Sequence, residues 1–144
     1  MKGFNEKVRR YKGSVIIKNL TTGEIKVVEN IVTSGFYNIV ASAMAGGSID
    51  LISHIAIGDD STIAQVTDTA LYNELYRKDI ITKSYSGNKI IITAIIAGGD
   101  ANFVWREIGL FNAASSGSMT NRLVINYTHS AGDVVSITWN IQPE

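Results

Sequence analysis

The chain has no cysteine, a single proline and no surplus of either charge. Without cysteine there are no disulfides, no thiolate nucleophiles and no thiolate metal sites, though the compartment stays open. The lone proline, Pro143, leaves every candidate strand interior free of a breaker. Thirteen basic residues against thirteen acidic ones give no basic excess for a nucleic-acid partner. The one positive cluster is Lys7, Arg9, Arg10 and Lys12. It is read as a solvated arm or first strand rather than a phosphate-binding patch. The longest apolar runs fall far short of the ~20 residues of a membrane span. No apolar core of a signal peptide follows the first charges. A soluble protein made in the cytoplasm is expected.

What is present describes one ordinary globular domain: 144 residues, 45% hydrophobic and 18% charged. A chain of this size buries roughly 68–70% of its unfolded surface. "SVIIKN" and "EIKVVEN", joined by "LTTGE", read as a hairpin with Lys18 and Lys26 toward solvent. Phe36, Ile39, Val40 and Ala43 recur at helical spacing after Thr33 or Ser34 as N-cap, and Gly46 and Gly47 stop the run. One helix is expected, over about residues 34–45. "HIAIG", a segment from Arg77 to the turn "SGN", "KIIITAII", "FVWREIGLF" and "RLVINYT" read as strands. So does the alternating "DVVSITWNIQ" near the end. "TALYNEL" reads as a helical turn or an irregular entry. The sum is about seven or eight strands: a mainly β, antiparallel sandwich or barrel-like fold carrying one packed helix. A single domain over residues 1–144 is expected. Residues 1–32 form an arm and hairpin suited to docking, and residues 33–144 the helix and β core.

"FVWREIGLFN" places two ionisable groups inside an apolar run. In a regular strand Phe103, Trp105, Glu107, Gly109 and Phe111 share one face, and Val104, Arg106, Ile108 and Leu110 the other. A charge on a dry face needs a partner. Arg106 points the wrong way, so Glu107 is expected to pair across strands with Arg77 or Arg122. An arginine fork fits a carboxylate at two points and pins strand register. The charges are read as architecture, within the fold or in a subunit contact. Glu107→Gln is expected to lower the melting temperature by several degrees.

Chemical alternatives fare worse. The histidines, His54 and His129, lie in or at the end of strands, and no serine sits in G-x-S-x-G. Asp59, Asp60 and Asp68 lack calcium-loop spacing and read as turn caps. Glu74 and Glu107 are the only glutamates in apolar context that a glycan hydrolase could use. No glycine-rich loop opens a helix to cradle phosphate. Tyr72, Tyr76, Tyr85 and Tyr127 could stack on sugars, but sheet tyrosines are more often half-buried core. No enzyme activity, cofactor or metal is expected.

"HIAIGDDSTIAQVTDTALYNELYRK", "WREIGLFNAASSGSMTNRLVI" and "SITWNI" together resemble a family of bacteriophage and prophage virion proteins associated with tail fibres, baseplates and necks. The pattern runs IAIG at 55–58, TALxxExxR at 69–77, WxEIGLF at 105–111, M…R at 119–122 and TW at 138–139, and covers residues 52–141. The resemblance implies a non-enzymatic building block of a virion, made in the bacterial host and assembled as a homo-trimer or homo-hexamer with other virion proteins. A capsid decoration or head-fibre protein is the alternative within that class. A carbohydrate-binding module touching a host glycan is the alternative outside it. No nucleic acid and no membrane span enter any of these readings.

Overall fold

The computed structural model describes residues 10–144; Lys7, Arg9 and the rest of the expected arm over residues 1–9 lie outside them. The described chain forms β1 (Tyr11–Asn19), β2 (Ile25–Val32), α1 (Ser34–Met44), β3 (His54–Gly58) and β4 (Glu74–Asp79). There follow β5 (Thr82–Ser86), β6 (Lys89–Ile96), β7 (Val104–Phe111), β8 (Met119–Thr128) and β9 (Val135–Pro143). The strands pair antiparallel in the order β4-β3-β7-β8-β2-β1-β9-β6-β5. The molecule is mainly β, a curled antiparallel sheet that makes a half-barrel with one helix.

Alternation explains the larger limb. On β9, Val135, Ile137, Trp139 and Ile141 are buried while Ser136, Thr138 and Asn140 are half-exposed. Val15 and Ile17 on β1 and Ile92, Ala94 and Ile96 on β6 join them inside the curl. Phe36 of α1 enters the same core, and the helix ends where Gly46 adopts φ +76°, a conformation glycine takes without strain. Thr33 stands at the N-cap, but its hydroxyl donates to the Met119 carbonyl instead of capping. Inside the curl Asn30, in the amide orientation that satisfies both its ends, donates to the Gly13 carbonyl at 2.8 Å and accepts from Trp139 Nε1 at 2.9 Å. A buried indole N–H and a half-buried amide thus complete one another.

Three expectations change. Lys26 shares the side of Ile17, not the solvent side, and its ammonium reaches the Asn126 carbonyl at 3.0 Å. The single strand expected from Arg77 is two. Ile80 N–H donates to Ser53 and Ile81 N–H to Thr93, so the chain crosses from the β3 side to the β6 side there. β4 and β5 thereby become the two edges of the sheet. Lys78 to the Ile95 carbonyl (2.9 Å) and Lys83 to the Ile52 carbonyl (2.8 Å) tie the limbs across this crossing.

Third, the β7–β8 ladder shifts register between Trp105 and Glu107: Trp105 lies opposite Tyr127, but Glu107 lies opposite Val124. Three residues on β8 therefore span two on β7. Trp105 falls into the core with Ile108 and Leu110, not on the face of Glu107. Gly109 and Phe111 stay with Glu107, and Phe111 packs in a second small cluster with Ala56, Leu71 and Met119.

Tyr76 on edge strand β4 donates to Asp100 Oδ2 at 3.1 Å, a further tie between the limbs. Burial, then the bond to Asp100, pushes its pKa up to about 12. The fold thus favours the neutral phenol. That contribution is complete below pH about 10 and is lost as the pH rises from about 10 to about 12. Alkaline melts of wild type are expected to fall steeply in that window. Tyr76→Phe is expected to be less stable at neutral pH but to show a shallower alkaline fall.

Candidate functional site

Between β3 and β4 the chain runs through residues 59–73 without regular structure. Connections this long are uncommon in compact domains and need something to hold them. Here that is Glu107, wholly buried on β7. Its Oε1 accepts from Tyr72 N–H at 2.9 Å and from Arg122 Nε at 3.1 Å. Its Oε2 accepts from Asn73 N–H at 2.8 Å and Asp60 N–H at 3.3 Å. Three loop amides and one guanidinium converge on one carboxylate. Each is a donor and none an acceptor, so the site demands a charged, acceptor-only group.

Arg122 on β8 completes the arrangement. It is also wholly buried. Its Nη2 lies 3.1 Å from Glu107 Oε1, its Nη1 donates to the Thr62 carbonyl at 2.7 Å, and Asp68 Oδ2 stands 3.5 Å away. The guanidinium carbon stacks 4.6 Å from the Tyr72 ring centre. Arg77, the other arginine considered, does not reach Glu107. It pairs with Glu74, donates to the carbonyls of Ala113 (3.0 Å) and Ser116 (2.8 Å), and lies 3.9 Å over the Phe111 ring. It therefore fastens the small-residue loop before β8 rather than the long loop.

Two glycines make room for the clasp. A side chain on Gly58 would strike the Asn73 carbonyl oxygen and Glu107 Oε2. On Gly109 it would press on Leu71 and Met119 at 3.0–3.1 Å. A glycine inside a strand pattern is the sequence sign of such close approach. Composition alone did not point to it.

The remaining candidates disperse. Asp59 bonds the Asn73 amide group. Asp60 accepts Thr62 N–H at 2.8 Å, and Thr62, with Arg122 nearby, holds that carboxyl below the usual range. Asp68 caps Gln65 N–H at 2.9 Å and accepts the Tyr72 hydroxyl, whose pKa the bond raises. No group of three His, Asp or Glu among the described residues is placed to hold a metal ion.

His54 bridges Ser53 Oγ (2.7 Å) and Asp79 (2.6 Å). The Asp79 side chain is 85% exposed, however, and the Ser53 and Ile80 amides are spent on backbone bonds. This makes a surface tie, not a shielded triad. His129 is buried against Trp105 and faces the carbonyls of Ala101 and Asp133. Glu74 and Glu107 flank Gly58 on adjacent strands, but Glu107 has no open side for a substrate. Tyr127 is in the core and Tyr76 is half-buried. Tyr72 and Tyr85 are exposed but line separate depressions. Both tryptophans are buried, so neither offers a sugar platform. Arg10 and Lys12 border a depression that Glu29 and Glu144 also line. No helix among the described residues is long and apolar enough to cross a membrane.

No family model, curated protein or solved structure matches the chain. What defines the site is its geometry, a buried acid and base spent on positioning a surface loop.

Proposed function

We propose that the protein is a non-enzymatic structural component of a bacteriophage virion, a tail-, neck- or baseplate-associated fibre or adaptor that assembles as a symmetric trimer or hexamer. The observation that carries this reading is the saturation of Glu107. The acid most prominent in the WxEIGLF stretch accepts three loop amides and a guanidinium and has no exposed surface. Its chemistry is consumed in holding residues 59–73. The held loop presents Ile63 (80% exposed), Val66 (47%) and Tyr72 (50%) at the surface. Apolar side chains on an immobilised loop suit contact with another protein. Edge strands β4 and β5 supply further pairing surface. In this reading the limbs β4-β3-β7-β8 and β2-β1-β9-β6-β5 act as the two layers of an open sandwich.

The test uses phage particles from the lysate of the strain that encodes the chain, with an antibody raised against it. Heads are removed by osmotic shock and the fractions compared. Signal in the tail and neck fraction is the expected result. Signal confined to heads assigns a capsid decoration or head-fibre role instead. Absence from particles, with the protein free in the lysate, overturns the virion reading.

A further inference from the structure

β5 is the last strand of the sheet, and all of its residues are exposed. The two-residue turn Gly87–Asn88, with Gly87 at φ +60°, makes Ser86 and Lys89 the closing pair of the β5–β6 hairpin. Bonded and non-bonded pairs alternate along an antiparallel ladder. The N–H and C=O groups of Ser86, Ser84 and Thr82 therefore turn toward β6. The bond from Ile81 N–H to the carbonyl of Thr93, the residue opposite Thr82, agrees with this phase. The N–H and C=O groups of Tyr85 and Lys83 turn outward, where no further strand meets them.

The side chains of Tyr85 and Lys83 stand on the helix side of the strand, opposite Ile90 and Ile92. They border a mainly apolar groove of about 340 Å³ whose other wall is Phe36, Ile39, Val40 and Ala43 of α1. Tyr85 is 83% exposed. Lys83 is the only charged residue lining the groove. Its ammonium donates to the Ile52 carbonyl at 2.8 Å, which leaves two of its three donors. No acid among the described residues pairs with it.

We infer that this edge binds an extended segment of another protein as an added strand, antiparallel like the rest of the sheet, with an apolar side chain two residues before an acidic one. The outward groups of Tyr85 and Lys83 exchange four hydrogen bonds with the two segment residues opposite them. Residues two apart share a face, so both of those side chains lie on the helix side. The one opposite Tyr85 enters the mouth of the groove beside the tyrosine ring. The one opposite Lys83 brings the ammonium its missing carboxylate. In an antiparallel segment the apolar residue comes first.

The edges of a second copy do not supply that pattern. Two β5 strands paired about Ser84 set Tyr85 of one over Lys83 of the other. β4 carries Leu75 before Arg77 and Tyr76 before Lys78, a base each time where an acid is called for. Charge thus selects a different protein. The inference rests on this edge alone and holds whether or not the chain belongs to a virion.

The test begins with an array of end-blocked heptapeptides, threonine throughout except at positions three and five, which take every combination of residues. It is probed with the full chain. Peptides with an apolar residue at three and Asp or Glu at five are expected to bind best, and the reverse order poorly. The best peptide is then added in solution. Amide exchange at Lys83 and Tyr85 is expected to slow, while that at Ser84, already bonded to β6, changes little. Tyr85→Pro removes an outward N–H and spares the ladder to β6; it is expected to bind about tenfold more weakly than Tyr85→Ala, which keeps that N–H. Lys83→Gln is expected to lose the preference for an acid at five and keep that for an apolar residue at three. No selection on the array overturns the proposal, as does selection without protection of the two amides, or equal binding by the two Tyr85 variants. Protection of those amides that grows with protein concentration, with no peptide present, assigns the edge to a second copy and overturns it too.

Discussion

Glu107→Gln is expected to destabilise the protein by about 3–5 kcal/mol, although glutamine has the same size and shape. Every group around the carboxylate donates: the amides of Asp60, Tyr72 and Asn73 and the Arg122 guanidinium. A glutamine must turn its NH2 toward one set of these donors. That leaves a buried N–H without an acceptor and Arg122 without its counter-charge. The drop in melting temperature is on the order of 10 °C for a domain of this size. Replacing both partners by apolar residues often rescues a buried ion pair. Here Glu107→Leu with Arg122→Met is not expected to recover stability, because three backbone amides would still lose their acceptor. Urea melts of the single and double variants check both statements. A double variant as stable as wild type would show that the pair, not the loop, carries the energy.

Gly58→Ala is expected to cost about 3 kcal/mol, the upper end for forced overpacking. The added methyl group meets the Asn73 carbonyl, which is backbone, and the Glu107 carboxylate. Neither can yield without opening the clasp. The same substitution is expected to make the loop over residues 59–73 cleavable by protease under conditions in which wild type resists. Since Gly58→Ala and Glu107→Gln damage one unit, their combined cost should fall short of the sum. Equal protease resistance in the Gly58→Ala variant would mean that the loop tolerates displacement from β7.

Local signals made part of the fold legible. The spacing of Phe36 and Ile39 and the glycine at 46 marked the helix, observed at Ser34–Met44. Strict alternation marked β9, and the run of turn residues marked the β1–β2 hairpin. Long-range facts were not legible. The register shift opposite Tyr127 moved Trp105 to the core side, and a period-2 reading of one strand has no access to its neighbour's count. The crossing at Ile80 and Ile81 was hidden because both sides of it are strand-like; only their hydrogen-bond partners differ. Lys26 lies on the side of Ile17 because the pairing register puts it there, and its ammonium reaches the Asn126 carbonyl.

At the site, the cost of an unpaired buried acid pointed to an arginine and left two of them open. The structure puts Arg122 against Glu107 and gives Arg77 to Glu74. The larger share of the carboxylate's bonds, those to loop amides, was not legible. Backbone donors carry no sequence signature, and the loop that supplies them is irregular. Gly58 was visible as part of IAIG, but its reason, the nearness of Asn73 and Glu107, exists only in three dimensions.

Amide hydrogen exchange at Tyr72 and Asn73 tests the clasp most directly. Loop amides normally exchange quickly, whereas amides locked to a buried acceptor exchange only when the structure opens. The two are predicted to exchange in wild type as slowly as the core amides of β9, and in Glu107→Gln to lose far more protection than β9 does. Rapid exchange in the intact protein, or equal loss across loop and core in the variant, would contradict the claim that this buried pair exists to hold the loop.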